Sequence, residues 1–312
     1  MTLDSILSPL FFILIFPGFL FLSLYGFFLK WLDKKICALI KNTPNPATYR
    51  PITDFIKHLS KESRIPKRGN PTLLKFLPFF AIAAITTSVL MIPIWEKALF
   101  SFQGDLIVVL YLLTIPAMTF FIANNTSNRP FVAIEELRTI TQLFVYEAPF
   151  ILAFLGPAII AGSWNIREIS KFMFQSPLLL IVQILGLIIA LIAFQGKLKR
   201  LPLDKIEARD GAFTEYSGGL LAFSNLAINM EMVVGAALIN VVFLGGAFNL
   251  VGIFAVGVFI LKTIFILLLL SLLKIFMTRM RINQMIHLCW KILIPLSLAQ
   301  IALNVFIKIK MQ

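Results

Sequence analysis

The sequence has little of what active sites are made from. Among its 312 residues there are two cysteines and two histidines. Cys37 and Cys289 stand far apart and no Cys or His falls at metal-ligand spacing, which excludes a zinc site or an iron–sulfur cluster held by this chain alone. His58 and His287 are isolated in segments outside the apolar runs, where a surface or interface role fits them better than metal binding or acid–base work. There is no glycine-rich phosphate loop, no nucleophile elbow and no His–Glu zinc pattern, so a self-contained enzyme is not indicated. Charge is scarce as well. Asp, Glu, Lys and Arg make up 14% of the chain against 59% hydrophobic residues, with Phe alone occurring 31 times. A soluble globule of this size has no interior large enough to hide that surface.

The apolar residues are gathered into eight runs of about twenty residues, the length that crosses a bilayer core as a helix. They are Ile6 to Leu29, Phe76 to Trp95, Leu106 to Ile122, Leu143 to Gly162, Phe172 to Gln195, Leu220 to Leu244, Leu250 to Leu273 and Leu288 to Ile307. Only "LGGAFN", Leu244 to Asn249, separates the sixth from the seventh, and its glycines and asparagine suit a tight turn. The first run is followed by no small-residue cleavage site and reads as a retained span. There is no repeat, low-complexity tract or second soluble domain. The expected fold is therefore all-α: a polytopic integral membrane protein with one membrane domain over residues 1–312, multi-pass in the cell membrane.

Alternate connections carry 11, 2, 5 and 3 Lys and Arg residues, together 21 of the 28 in the chain. Lys and Arg are retained on the cytoplasmic side, so this asymmetry places those four connections inside and both termini outside. It also accounts for the net charge of +13 without a nucleic-acid partner. The first inner loop, residues 30–75, contains "ITDFIKHLSKE". There Ile52, Phe55, Ile56 and Leu59 repeat at helical spacing opposite Asp54, Lys57, Lys61 and Glu62, which predicts a short amphipathic helix lying at the membrane interface or under a partner.

An ionisable group inside a span costs about 2.5–3.5 kcal/mol on insertion scales, so each is a candidate for function. Glu147 in "LFVYEAPF", Glu231 in "INMEMVV" and Lys262 in "FILKTIF" qualify. Glu231 and Lys262 fit a structural pair between adjacent antiparallel helices as well as a proton relay, and spacing does not separate the two. A different concentration of charge lies in the inner loop 196–219, where Asp204, Glu207, Asp210 and Glu215 alternate with Lys205 and Arg209 between Pro202 and the glycines Gly211, Gly218 and Gly219. These are either ordinary solvated cytoplasmic charges or, as the density in a bracketed loop favours, an ordered acidic element that docks against a partner and feeds protons into the helices.

At this loop the chain resembles the H-type subunit of respiratory complex I (NADH dehydrogenase subunit 1) and its counterpart, the membrane anchor subunit of complex I-like group 4 nickel–iron hydrogenases, formate hydrogenlyase and related sulfur-reducing complexes. "PLDKIEA" from Pro202 and "TEYSG" from Thr214, with Tyr216 and Gly218, match the family's acidic loop. "ELRTITQLFVYEAPF" matches its fourth helix at Arg138, Gln142, Tyr146, Glu147 and Pro149. "RMRINQMIHLCWKILIPLSL" matches the entry to its last helix, with Asn283 in place of an aspartate, and "DLIVVLYLLTIPAMTFFIA" from Asp105 is similar to helix three of the hydrogenase branch. The resemblance covers nearly the whole chain. It implies that Glu147, Asp204, Glu207 and Glu215 are coupling carboxylates. It implies iron–sulfur and large hydrogenase-like subunits docked on the cytoplasmic side, antiporter-like subunits beside the chain in the bilayer, and iron–sulfur clusters or a nickel–iron site in those partners rather than here. Glu231 and Lys262 are candidates on the physical argument alone.

Departures from the family pattern bear on the branch. The loop between "PLD" and "EYSG" is short, the arginine- and glycine-rich element of quinone reducers is replaced by "LIKNTPNPATYRP", and Ile228 stands where they carry a carboxylate, three residues before Glu231. All three touch the surroundings of the quinone. The expectation is a hydrogenase-type or sulfur-reducing complex that moves protons or sodium, the alternative the quinone-binding H-type subunit. A stand-alone secondary transporter is a more distant alternative, since the inverted halves it requires are not visible.

Overall fold

The computed structural model describes residues 3–44, 47–63, 70–94, 100–125, 130–175, 177–198, 216–247, 252–277 and 280–311, and among these it is helical with no strand. The helices are α1 (Leu3–Leu14), α2 (Phe19–Ile40), α3 (Arg50–Leu59), α4 (Pro71–Met91), α5 (Asp105–Asn125), α6 (Pro130–Ala161), α7 (Ile166–Gln175), α8 (Pro177–Lys197), α9 (Gly219–Phe243), α10 (Ile253–Phe276), α11 (Ile282–Leu288), a π-helical turn (Cys289–Leu293) and α12 (Ile294–Met311). Among the described residues eight segments are long and apolar enough to cross a membrane, and they coincide with the eight apolar runs within a few residues at most ends.

The helices depart from the sequence expectation in several places: the first run is broken between α1 and α2, and α6 begins at Pro130, and three further differences have a local reason. The first span continues to Ile40 because Lys30, Lys34 and Lys35 end the apolar run without ending the helix; straight-chain residues are good helix formers, and Lys35 lies over the Trp31 ring one turn back, 4.8 Å from its centroid. The fifth run divides at Pro177, which opens α8 as a first-turn proline and leaves the preceding residues to a separate amphipathic helix, α7. The last span contains the π-helical turn directly ahead of Pro295. A proline ring collides with the carbonyl four residues earlier, and a wider turn relieves that clash.

The chain divides into two compact units. One comprises residues 1–90, 111–140 and 204–234, the other 91–110, 141–203 and 235–312. In the first, Gly26 of α2 faces the backbone of Asn229 on α9, and a Cβ there would stand 3.1 Å from its carbonyl oxygen, so glycine sets that close approach. The amphipathic α3 is tied to this unit by Phe55, whose ring packs 5.4 Å from Phe27 and 6.2 Å from Phe223, with Phe79 another 4.8 Å beyond. In the second unit, Phe150 packs against Phe154 and Phe194, and Phe154 against Phe243, with edge-on and stacked geometries that suit aromatic quadrupoles. A Cβ on Gly235 would overlap the Phe194 ring. α9 is the most enclosed span, 94% of its apolar window buried. Its apolar residues face all directions, and Ala222, Ala227, Ala236 and Ala237 let neighbours come close.

Candidate functional site

Glu147 lies on α6, one turn above Pro149–Phe150, and is buried at 8% exposure. Its partner is Lys197, the final residue of α8 and 3% exposed. The Lys197 Nζ donates to both Oε1 and Oε2 of Glu147 at 3.1 Å and sits 5.0 Å from the centroid of the Phe150 ring. Both charges are thus removed from water and compensate each other, and the lysine gains further from the aromatic face and from its place at a helix C-terminus, where carbonyls carry partial negative charge. The family motif residues Gln142 and Tyr146 are buried on the same stretch of α6, at 8% and 3% exposure. Arg138 falls on α6, in a turn of which only the backbone is described.

Sequence reading missed Lys197, counting it among the bases of an inner loop. The signal was available: a helix of ordinary span length opened by Pro177 ends at Lys197, which puts the ammonium in its last turn rather than in solution.

The other singled-out span residues fall elsewhere. Glu231 is 3% exposed on α9, a carboxyl in the most enclosed helix. The Lys262 Nζ donates to the carbonyls of Leu244 and Gly246, both at 2.7 Å. These carbonyls belong to the turn that follows Phe243, so the cation braces the exit of the chain from α9.

Asp204, Glu207, Glu215 and Pro202 lie outside the described residues. The end of their loop is described, and it explains "EYSG" physically. The Tyr216 side chain is inserted among Leu74, Leu77, Ala123 and Leu220, and its hydroxyl donates to the Leu74 carbonyl at 3.2 Å. Burial pushes the ionisation of this phenol up from its ordinary range. Gly218 has φ +63°, and a Cβ there would stand 2.5 and 2.6 Å from the carbonyl oxygens of Lys61 and Glu62. The Gly219 amide donates to Ser63 Oγ at 3.1 Å, and the Ser217 hydroxyl to the Glu62 carbonyl at 3.4 Å. The C-terminal end of the acidic loop is therefore stitched to the segment that follows α3, and only glycine fits the junction.

Asp105, read only as the start of a matching helix, proves to be fully buried. Its Oδ1 accepts from the amide of Ile166 at 2.7 Å, at the start of α7. Asn165 beside it donates to Ser101 Oγ at 2.9 Å. A carboxylate at a helix N-terminus is favourable, and here it locks two connections together. Among the described residues no three His, Cys, Asp or Glu side chains gather to hold a metal ion.

Comparison with known proteins places these features in a family. The profile of the NADH dehydrogenase family matches residues 12–305. The H-type subunit of the NADH-quinone oxidoreductase of Dehalococcoides mccartyi is 30% identical over 309 residues, covering 95% of this chain and 85% of its own length. The protein of the same name from Carboxydothermus hydrogenoformans is 31% identical over 304 residues, covering 92% and 85%. A chain of the membrane-bound sulfane sulfur reductase, an archaeal respiratory membrane complex, shares the fold with a TM-score of 0.80 at 23% identity, over 91% of this chain and 96% of its own. With a family profile that matches residues 12–305 and relatives similar along nearly its whole length, the chain belongs to the NADH dehydrogenase family, as a homologue of its membrane-embedded H-type subunit.

Proposed function

We propose that this chain is the membrane anchor subunit of a complex I-like energy-converting complex, a membrane-bound nickel–iron hydrogenase or a related sulfane or sulfur reductase. In that role it holds an iron–sulfur electron-transfer arm on its cytoplasmic face and couples the redox reaction there to the translocation of protons or sodium. The observation that carries the reading is the Lys197–Glu147 ion pair. Lys197 stands seven residues before Asp204 in the sequence, in the connection that bears Asp204, Glu207 and Glu215, so a change in that segment can be passed along the chain to the ammonium. A buried carboxylate that loses its cation favours its neutral form. Parting the pair is therefore a step in which a redox event outside the membrane draws a proton to Glu147 inside it.

The departures from the quinone-reducing pattern favour the hydrogenase or sulfur-reducing branch. The second reading, a quinone-binding subunit of the H type, is favoured by the names of the relatives at about 30% identity. Quinone-dependent activity of the purified complex that a quinone-site inhibitor abolishes would select it. For coupling, Glu147→Gln is the test, because the amide keeps an acceptor for Lys197 but takes up no proton. In proteoliposomes the variant complex is expected to assemble and to transfer electrons while ion pumping falls; unchanged pumping would sink the coupling role.

A further inference from the structure

The last helix is built inside out. On α12, as far as Ile309, the large exposed side chains are apolar: Leu296, Leu298, Leu303, Val305, Phe306 and Ile309, at 39–68% exposure, with the charged Lys310 exposed only at the end of the helix. The residues turned toward protein are Ser297, Gln300 and Asn304, at 0%, 1% and 0%, spaced three and four apart so that they form one stripe. In a membrane span an inward polar stripe is stable only when its groups find partners. Some do. The Gln300 Nε2 donates to Gln183 Oε1 on α8 at 2.7 Å, and the Gln183 Nε2 donates to Asn304 Oδ1 at 3.1 Å, while the Ser297 hydroxyl returns to the Ile294 carbonyl of its own helix at 2.7 Å.

Two atoms are left. Gln300 Oε1 and Asn304 Nδ2 are buried with no hydrogen-bond partner among the described residues. Exchanging O and N in either amide breaks an existing bond and moves the shortage rather than removing it. The backbone makes room for these groups through glycine. A Cβ on Gly156 of α6 would stand 2.6 Å from Gln300 Nε2 and 2.7 Å from Asn304 Nδ2, and one on Gly186 of α8 would overlap the Gln300 amide. The stripe continues one turn further to Lys308, whose Nζ would be 3.1 Å from a Cβ on Gly162, just past the end of α6.

An unmatched acceptor and an unmatched donor, one turn apart and buried within a span, cost several kcal/mol each unless a molecule that both donates and accepts lies between them. Water has that chemistry, and buried waters sit where two or more otherwise unmet polar groups converge. A cation is not suited, since the cluster is made of amides without a carboxylate and one of its two open atoms is a donor. We propose that Gln183, Gln300 and Asn304 form a water-binding site within the membrane, filled along the α12 stripe from the end at which Lys308 lies. The site is an aqueous inlet reaching between α6, α8 and α12, in place of a dry amide clasp that merely holds the helices together.

Thiol chemistry separates the inlet from the clasp, because methanethiosulfonates react with the hydrated thiolate. Asn304→Cys and Gln300→Cys are made in a Cys37→Ser, Cys289→Ala background and assayed in membrane vesicles with a membrane-impermeant trimethylammonioethyl methanethiosulfonate. Leu303→Cys, on the lipid face, is the dry reference. Desolvation suppresses the thiolate about 10- to 100-fold at such a site, so the two stripe positions are expected to label faster than Leu303→Cys by at least that margin, from the Lys308 side. Labelling no faster than the reference in assembled protein overturns the proposal. Should both cysteines on α12 prevent assembly, Gln183→Cys on the opposite helix carries the same test with the same two readings.

Discussion

Replacing Lys197 with methionine keeps the length and apolar stem of the side chain and removes its charge, which leaves the Glu147 carboxyl without its partner in a site where the two side chains are only 0% and 10% exposed. At 3.1 Å between Nζ and each carboxylate oxygen, the attraction is about 5 kcal/mol at an effective dielectric constant of about 20. Desolvating both ions opposes most of it, so the pair as a whole contributes little net stability while the loss of one member costs about 3–5 kcal/mol. The contact of Lys197 with the Phe150 ring adds up to about 2 kcal/mol in a desolvated setting. The expectation is strong non-additivity. Lys197→Met and Glu147→Leu each weaken the assembled protein by about 3–5 kcal/mol, and the double variant returns to within about 2 kcal/mol of the parent because neither charge remains to be solvated. The assay is the temperature at which half of the detergent-purified protein stays monodisperse after a fixed heating time, read for all four forms of the cycle. A double variant that loses as much as both single variants together refutes the reasoning, since the two residues would then act independently.

Two further predictions concern the end of the acidic loop. Gly218→Ala forces a side chain onto the carbonyls of Lys61 and Glu62 at a positive φ, and it is expected to cost about 1–3 kcal/mol and to open the junction to limited proteolysis near residue 63; unchanged protease resistance would count against the stitched loop. Tyr216 has its ionisation raised above the ordinary 10.0 by burial, so its neutral form is what the fold retains. That contribution is fully present below about pH 10 and is lost as pH rises further, because the unfolded chain releases the proton first. Thermal stability should therefore fall more steeply above pH 10 in the parent than in Tyr216→Phe, which itself forfeits about 0.5–1.5 kcal/mol for the bond to Leu74; equal slopes would refute it.

Much of the architecture was legible in the residues. The spans were visible because about twenty apolar residues are required to cross a bilayer whatever the neighbours do, and the amphipathic α3 because its period leaves one apolar face. The ends were less legible. Hydropathy stops at Leu29, but a helix stops only where its backbone does, and α2 runs to Ile40. Of the candidate residues, Glu147 and Glu231 were visible as charges in apolar runs, and both are buried. Lys197 was not, since it stands beside a loop and looks like any other inner-side base until α8 is traced to its last residue.

By itself the sequence determined the all-helical membrane architecture, the number of spans and the motifs that tie the chain to its family, because each follows from local composition, period and order along the chain. Only the tertiary structure decided which groups meet. It joined Lys197 to Glu147 across 50 residues of sequence, gave Lys262 to the carbonyls of the turn after α9, set Tyr216 against Leu74 and Gly218 against Lys61 and Glu62, and turned Gln300 and Asn304 inward toward Gln183. Those pairings depend on the rotation of each helix about its own axis and on the close approaches allowed at Gly156, Gly186 and Gly218, which no one-dimensional pattern of polarity contains.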